Sequence, residues 1–330
     1  MRILVTGAAG MIGRKLVERL AKDGHVGGRE ITTLAMTDIV EPSAPGGLGA
    51  ESQITAADIA APGAAERLIA YRPDLIFHAA GIVSGEAESD LEKGYRVNLD
   101  GSRRLFDAIR REGERAPYKP RLVFTSSIAV FGAPFPDKIG DDFHLTPLTS
   151  YGTQKAMVEL MLADYTRRGF MDGVGVRLPT ICIRPGKPNK AASGFFSNIL
   201  REPLSAREAV LPVSEDVRAW HASPRAAIGF LLHAAALPPG ALGDRPNLTM
   251  PGLSATVGDE LAALNRVSPA AMRLIRREPD PVIQRIVAGW PQAFDPKRAL
   301  SLGFRADSSF DEIIRYHIED ELGGSLPGRP

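Results

Sequence analysis

The run Thr6-Gly7-Ala8-Ala9-Gly10-Met11-Ile12-Gly13 constrains this chain more than any other feature. It follows a short apolar strand, Ile3 to Val5. It opens a segment whose apolar residues Met11, Ile12, Leu16, Val17 and Leu20 recur at helical spacing, with Gly24 as a stop. Glycines are needed where the chain turns tightly, where backbone approaches a pyrophosphate and where helix meets strand. The helix N-terminus then offers unpaired N–H groups and a positive dipole end to phosphate oxygens. In this strand–turn–helix context the glycines point to dinucleotide binding rather than to a plain tight turn.

The rest of the first half keeps the same rhythm. Ile31–Met36, Ile54–Ala57, Leu75–Phe77, Arg121–Thr125 and Val174–Leu178 read as further strands. Long helices are expected over Ser89–Arg111, where Ser89-Asp90-Leu91-Glu92 has capping-box spacing, and over Tyr151–Arg168. Strands separated by helices imply parallel pairing with right-handed crossovers, hence an α/β, Rossmann-type doubly wound sheet. After Pro179 the rhythm breaks, and 179–224 is rich in Pro, Gly and Ser with few regular segments expected. Ser223-Pro224 opens a helix to about Ala236, with Ser as N-cap and Pro at the first helical position. A strand closes at Thr249-Met250-Pro251-Gly252, and the tail from Val257 is expected to be mostly helical, including Arg273–Arg277 and Phe310–Glu321. The 330 residues fit two domains at roughly 150 each. The expected partition is a cofactor domain over 1–180, rejoined by 224–252, and a smaller, mostly C-terminal substrate lobe from 181–223 and 253–330.

Composition narrows the classes of function. Lys and Arg number 40 and Asp and Glu 39, a net charge of +1, which argues against nucleic-acid or membrane-surface binding driven by the overall field. The arginine pairs 103–104, 110–111, 167–168 and 276–277 alternate with acids and apolar residues and read as solvated helix faces. A single cysteine, Cys182, excludes an intrachain disulfide and a thiolate metal cluster. No apolar run approaches the ~18–20 residues that span a bilayer, no leader pattern precedes the first strand, and the expected location is the cytoplasm. His78 has no acid or histidine at ligand spacing and reads as a buried core histidine, so no metal is expected.

Asp38 ends the second strand, where an acid can accept from the adenosine ribose hydroxyls, and no Arg or Lys follows it to hold a 2′-phosphate; NAD is favoured over NADP. Asp58-Ile59 could meet adenine, or Asp58 could simply form a turn. The small residues Ala79-Ala80-Gly81 let backbone pass close to a flat cofactor. Tyr151 and Lys155 stand at i and i+4, on one helix face. A phenol with an ordinary pKa near ~10 is a poor base at neutral pH, and an adjacent ammonium favours its phenolate. Upstream, Phe124-Thr125-Ser126-Ser127-Ile128 brings hydroxyls to the mouth of a strand, where one could orient a substrate carbinol.

In this order the glycine turn, Phe77-His78-Ala79-Ala80-Gly81, Asn98 in Tyr95-Arg96-Val97-Asn98, the serine strand and Tyr151-x-x-x-Lys155 resemble the extended short-chain dehydrogenase/reductase family (the NAD-dependent epimerase/dehydratase superfamily) over nearly the whole chain. The resemblance implies that Tyr151 is the general acid/base, that Lys155 lowers its pKa and holds the nicotinamide ribose, and that Asn98 supports a proton-relay water. It makes Ser127 the polarising hydroxyl, with Ser126 the neighbouring choice. Leu178-Pro179-Thr180 would lie near the nicotinamide carboxamide, and a homodimer through the long helices is implied. Segments 82–88, 177–189, 201–204 and 220–225 resemble, more narrowly, the members that oxidise the 2-hydroxyl of a small polyhydroxy acid of the D-erythronate type.

A carboxylate substrate needs cationic or several neutral donors. Arg184, Lys187, Arg201 and Arg218 are the cationic candidates, Arg184 before the others, with Thr180 beside them and Ser84 at the mouth of the fourth strand; for each cation the competing reading is a solvated surface charge. Trp220 and His221 could wall a pocket or belong to the core. A nucleotide-sugar 4-epimerase is the alternative enzyme. Elimination chemistry of the dehydratase kind is disfavoured because Ile128 and Ala129, not an acid, follow Ser127. A non-catalytic NAD-sensing protein would be expected to lack Tyr151 or Lys155, and both are present.

Overall fold

The structure, a computed structural model, describes residues 1–47, 49–186 and 193–327. The chain divides into two compact units. One comprises Met1–Val130, Thr149–Arg177 and Ile228–Thr249; the other comprises Phe131–Leu148, Leu178–Ala227 and Met250–Pro330.

The first unit is built on a seven-stranded sheet. Its spatial order is Asn247–Thr249, Asp172–Leu178, Arg121–Ser127, Leu75–His78, Arg2–Thr6, Thr33–Asp38 and Glu51–Ala56. Arg2–Thr6 pairs in parallel with Thr33–Asp38 on one side and with Leu75–His78 on the other. The chain order therefore reverses between Arg2–Thr6 and Leu75–His78, the place where open α/β sheets bind ligands at their carboxyl ends. The central strands are buried on both faces and accordingly apolar (Ile3, Leu4, Val5; Leu75, Ile76, Phe77), because helices cover both sides. Leu105, Phe106 and Ile109 of the Gly101–Arg115 helix and Val158 and Leu162 of the Ser150–Arg167 helix share one core with Leu4, Ile76, Leu122 and Phe124.

The helix expected over Ser89–Arg111 is broken. Ser84–Ser89 ends at Asp90, whose backbone (φ −136°, ψ 88°) leaves the helical region. Asp90 then caps the next turn, accepting from the Lys93 amide at 3.0 Å, while Ser89 turns back to the Glu86 carbonyl. The cap is one residue later than the Ser89–Glu92 pattern suggests. Tyr95–Asp100 continues as a π-helix, closed by the Gly101 amide on the Arg96 carbonyl, before the regular helix Gly101–Arg115.

The second unit holds its own core, with Phe195, Phe196, Ile199 and Leu200 against Val257, Leu261, Leu264, Ile313 and Ile314. Its irregular stretch is more ordered than expected, with the helix Gly194–Leu204 and the strands Ala209–Leu211 and Arg218–Ala222. Ile275–Arg277, expected to be helical, is a strand paired in parallel with Ala209–Leu211. Ile275 turns into the core, whereas the exposed Arg276 and Arg277 meet Glu278 and Glu215. Segment 131–148, expected within the first domain, belongs here: Ile139–Gly140 pairs with Phe294–Asp295, and the Phe131 ring packs 5.6 Å from Phe294. The Pro224–Ala236 helix starts as expected, with the Ser223 hydroxyl accepting from the Ala226 amide at 3.0 Å. Among the described residues no helix is long and apolar enough to cross a membrane.

Candidate active site

The glycine turn sits at the carboxyl end of the first strand. Gly7 has φ +76°, and a Cβ there would stand 2.5 Å from the Ala80 nitrogen and 2.7 Å from the Ala79 carbonyl oxygen. A Cβ on Gly13 would stand 2.0 Å from the Gly7 oxygen. The helix Met11–Asp23 starts from Gly10, which has no side chain to cap it, so its first amides face outward from a small-residue cradle. Asp38, half-buried at the end of its strand, accepts from the Ala9 amide at 2.9 Å and from Ile39 at 2.7 Å.

Asp58 accepts from the Ala60 amide at 2.9 Å and from Arg96 at 2.5 Å. Burial raises its carboxyl, but the bonds from Arg96 and Ala60 outweigh that and hold it below the usual range. The Ile59 side chain is core, 2.8 Å from where a Gly101 Cβ would stand, so only its backbone is available to a ligand.

His78 is fully buried. Its Nδ1 meets the Thr6 hydroxyl at 2.7 Å, its Nε2 meets the Ser102 hydroxyl at 2.9 Å, and its ring stacks 5.8 Å from Phe124. Burial, and then the charge on Lys155, push it down to about 3, so it is a neutral core histidine.

The π-helix presents Asn98. Its Oδ1 accepts from the Ile82 amide at 2.9 Å and its Nδ2 donates to Gln154 at 2.7 Å. Gly81 is small for a reason, since a Cβ there would stand 2.9 Å from Asn98 Oδ1 and 3.6 Å from Lys155 Nζ. Gln154 is absent from the sequence reading; its signal would have been a polar residue beside Lys155 on a helix face that must be buried.

Thr149 caps the Ser150–Arg167 helix, accepting from Gly152 at 3.0 Å. This starts the helix so that Tyr151 and Lys155 fall on its first two turns. Lys155 is 4% exposed; its Nζ donates to the Thr125 carbonyl at 2.8 Å and lies 5.6 Å from the Tyr151 ring. Burial pushes the ammonium down to about 8, against the upward pull of Glu159. The serine pair is split. Ser126 is buried and donates to Glu159 at 2.5 Å, whereas half-buried Ser127 accepts from the Ala129 amide at 3.1 Å. Ser84 begins the Ser84–Ser89 helix and is half-buried.

In the second unit, Leu178 is buried and Thr180 half-buried, in a strand paired with His221–Ala222. Arg184 donates to the Ile181 carbonyl and the Ser193 hydroxyl. Arg201 is 5% exposed and directs its nitrogens to Glu202, Asn198 and the Arg184 carbonyl, on the wall of a cleft of about 450 Å³ that also includes Arg207 and His317. Arg218 donates to the Ser254 carbonyl at 3.0 Å. Lys187 lies outside the described residues. Trp220 and His221 are core side chains. Trp220 donates to the Met250 carbonyl and packs on Phe294, and His221, fully buried between Phe196 and Phe310, lies 3.3 Å from Glu260. Among the described residues no group of three or more His, Cys, Asp or Glu could hold a metal ion.

A parallel doubly wound sheet and a glycine cradle that no side chain could share are the marks of an NAD-dependent dehydrogenase, and a buried lysine one turn from a tyrosine stands in the same unit. Residues 3–223 match the NAD dependent epimerase/dehydratase family, and the chain belongs to it. The residues present fit the cofactor: Gly7, Gly10, Met11, Ile12 and Gly13 form a cradle without obstructing side chains that would take its phosphates, and the Asp38 carboxylate stands beside it where it would accept from the ribose. The chain is 43% identical, over 97% of its length and 98% of the relative's, to a D-erythronate dehydrogenase of Cupriavidus necator. It is 41% identical to that of Haemophilus influenzae, over 98% of this chain and all of the relative. A UDP-glucose 4-epimerase of Mycolicibacterium smegmatis is 33% identical over 50% of this chain and 51% of its own. A crystal structure titled as a nucleoside-diphosphate-sugar epimerase from Agrobacterium tumefaciens superposes with a TM-score of 0.97 at 62% identity, covering 99% of this chain and 96% of that one.

Proposed function

We propose that the protein oxidises the 2-hydroxyl of a small polyhydroxy acid of the D-erythronate type to the 2-oxo acid. The carrying observation is the Lys155 ammonium, fixed on the Thr125 carbonyl at 2.8 Å beside the Tyr151 ring, on a strand that continues to Ser127. Full-length likeness to D-erythronate dehydrogenases supports the substrate class, where the curated epimerase shares only half of its length.

In this reading NAD, when bound, supplies the acceptor for the hydride. Ser127 donates its hydroxyl hydrogen to the reacting oxygen, since the Ala129 amide occupies its acceptor side. The Tyr151 phenolate takes the carbinol proton as the C2–H bond breaks, and Lys155 stabilises that phenolate. Asn98 holds the loop at Ile82 and supports the path by which the proton leaves. Asp58, Ile59 backbone, Ala79, Ala80, Gly81 and Leu178 complete the cofactor contacts. Ser84 serves the substrate from the first unit; Arg184 and Arg201 would have to release bonds to Ser193, Glu202 or Asn198 to take up a carboxylate.

The second reading, a nucleotide-sugar 4-epimerase, is favoured by the name given to the Agrobacterium tumefaciens structure. One panel separates them: NADH formation with D-erythronate and related aldonates, and conversion of UDP-sugars. NADH release with an aldonate is expected. UDP-sugar conversion with no NADH from any hydroxy acid would replace the first reading by the second.

A further inference from the structure

We infer that Glu159 is a positioning residue for the reaction: its carboxylate, pinned by Arg177 and Ser126, keeps a fixed negative charge one helical turn from Lys155 and so keeps that lysine in its charged form beside Tyr151. The inference rests on the Tyr151/Lys155 reading and deepens it.

Glu159 is 1% exposed in the middle of the first unit. It lies one turn beyond Lys155 and two beyond Tyr151, so the three side chains share one helix face. Its Oε1 accepts from Ser126 at 2.5 Å and from Arg177 Nε at 2.9 Å, and its Oε2 accepts from Arg177 Nη2 at 2.7 Å. Ser126 follows Thr125, the residue whose carbonyl accepts from Lys155. Carboxylate and ammonium are thus anchored to consecutive residues of one strand, which fixes the position of each relative to the other.

A buried ion pair is often replaceable by apolar residues at no loss of stability, so stability alone does not account for this one. The charged and titratable groups around Lys155 are Tyr151 and Glu159 on its own helix, His78 on the Leu75–His78 strand, and Arg177, bound to Glu159, on the Asp172–Leu178 strand. His78 is neutral and Arg177 is cationic. Glu159 is the carboxylate in this set, and it opposes the burial that drives Lys155 toward its uncharged form. Without it, less of the lysine would carry the charge that Tyr151 requires.

The test is direct titration of Lys155 in the full-length protein loaded with NAD. Lysine labelled with ¹³C at Cε is followed by NMR, with the Lys155 signal assigned by its loss in Lys155→Met. In Glu159→Gln the Lys155 midpoint should fall by about one pH unit, a tenfold loss of proton affinity. In Arg177→Met, which removes the competing cation and keeps the carboxylate, it should rise. A midpoint in Glu159→Gln that coincides with the wild type overturns the inference. If Glu159→Gln does not fold, Arg177→Met decides, and an unchanged or lower midpoint there overturns it. Failure of the underlying reading shows separately, as wild-type turnover by Tyr151→Phe.

Discussion

Ser126 and Ser127 are neighbours on one strand with opposite commitments: the first donates to buried Glu159 at 2.5 Å, and the second accepts from Ala129 at 3.1 Å. Their replacements should therefore differ in kind. Ser127→Ala is expected to lower kcat by about a hundredfold or more, as for loss of one donor to a reacting oxygen. Ser126→Ala leaves a buried carboxylate one bond short and should cost about 1–3 kcal/mol of stability, with a smaller fall in kcat. Urea melts and steady-state rates on both variants separate the two effects.

Asp38 faces the ribose in the proposed complex while already holding the Ala9 amide. Asp38→Ala should raise the KM for NAD by about tenfold, the loss of roughly 1.5 kcal/mol from bonds to a charged acceptor. Preference for NAD over NADP should shrink in the same variant. Initial rates with both cofactors test this; an unchanged ratio would count against Asp38 as the ribose acceptor.

Gly10 and Gly13, two of the three glycines of the turn, should respond unequally to alanine. At Gly13 the new Cβ meets the Gly7 oxygen at 2.0 Å, whereas at Gly10 the same contact is 3.3 Å. Gly13→Ala is expected to lose about 3 kcal/mol and most of its NAD-induced thermal shift, since backbone cannot yield as a side chain can. Gly10→Ala should stay within about 1 kcal/mol of the wild type by the same reasoning.

His78 and His221 are both fully buried and pushed down to about 3 from 6.5, by burial first and then by Lys155 and Arg184 respectively. The unfolded chain takes up protons on these groups that the folded chain refuses. Their contribution is present above pH 6.5 and is lost as the pH falls toward 3. Each steepens the loss by at most about 1.4 kcal/mol per pH unit. His221→Gln should flatten the stability curve between pH 6 and 4, whatever its cost at neutral pH; parallel slopes in urea melts would refute the assignment.

The Ser150–Arg167 helix leaves Leu160 68% and Met157 38% exposed. With the implied pairing of long helices, we propose that this face is the homodimer contact. Leu160→Asp should then give a monomeric mass in light scattering where the wild type gives a dimer.

Much of the candidate site's local geometry is legible in the sequence because it depends on near neighbours. The glycine turn, the Tyr151–Lys155 spacing and the Ser223-Pro224 helix start each depend on residues within a few positions. What the sequence hides depends on distant partners. Ile275–Arg277 is a strand only because Ala209–Leu211 lies beside it, and Arg121 and Glu159 are fixed by Asp172 and Arg177, each far along the chain. The broken helix fails for another reason: Ser89 and Asp90 are both good caps, and only the backbone turn at Asp90 decides between them.

The π-helix at Tyr95–Asp100 carries a consequence for how this gene can change. Its closing bond, from Gly101 to Arg96, spans one residue more than an α-turn. Losing a single codon there would let the helix close normally, and every side chain upstream would swing by about 100° relative to those downstream. Asn98 would leave Ile82 and Gln154 although its own codon was untouched. Substitutions can accumulate along this stretch, but its length is a counted quantity.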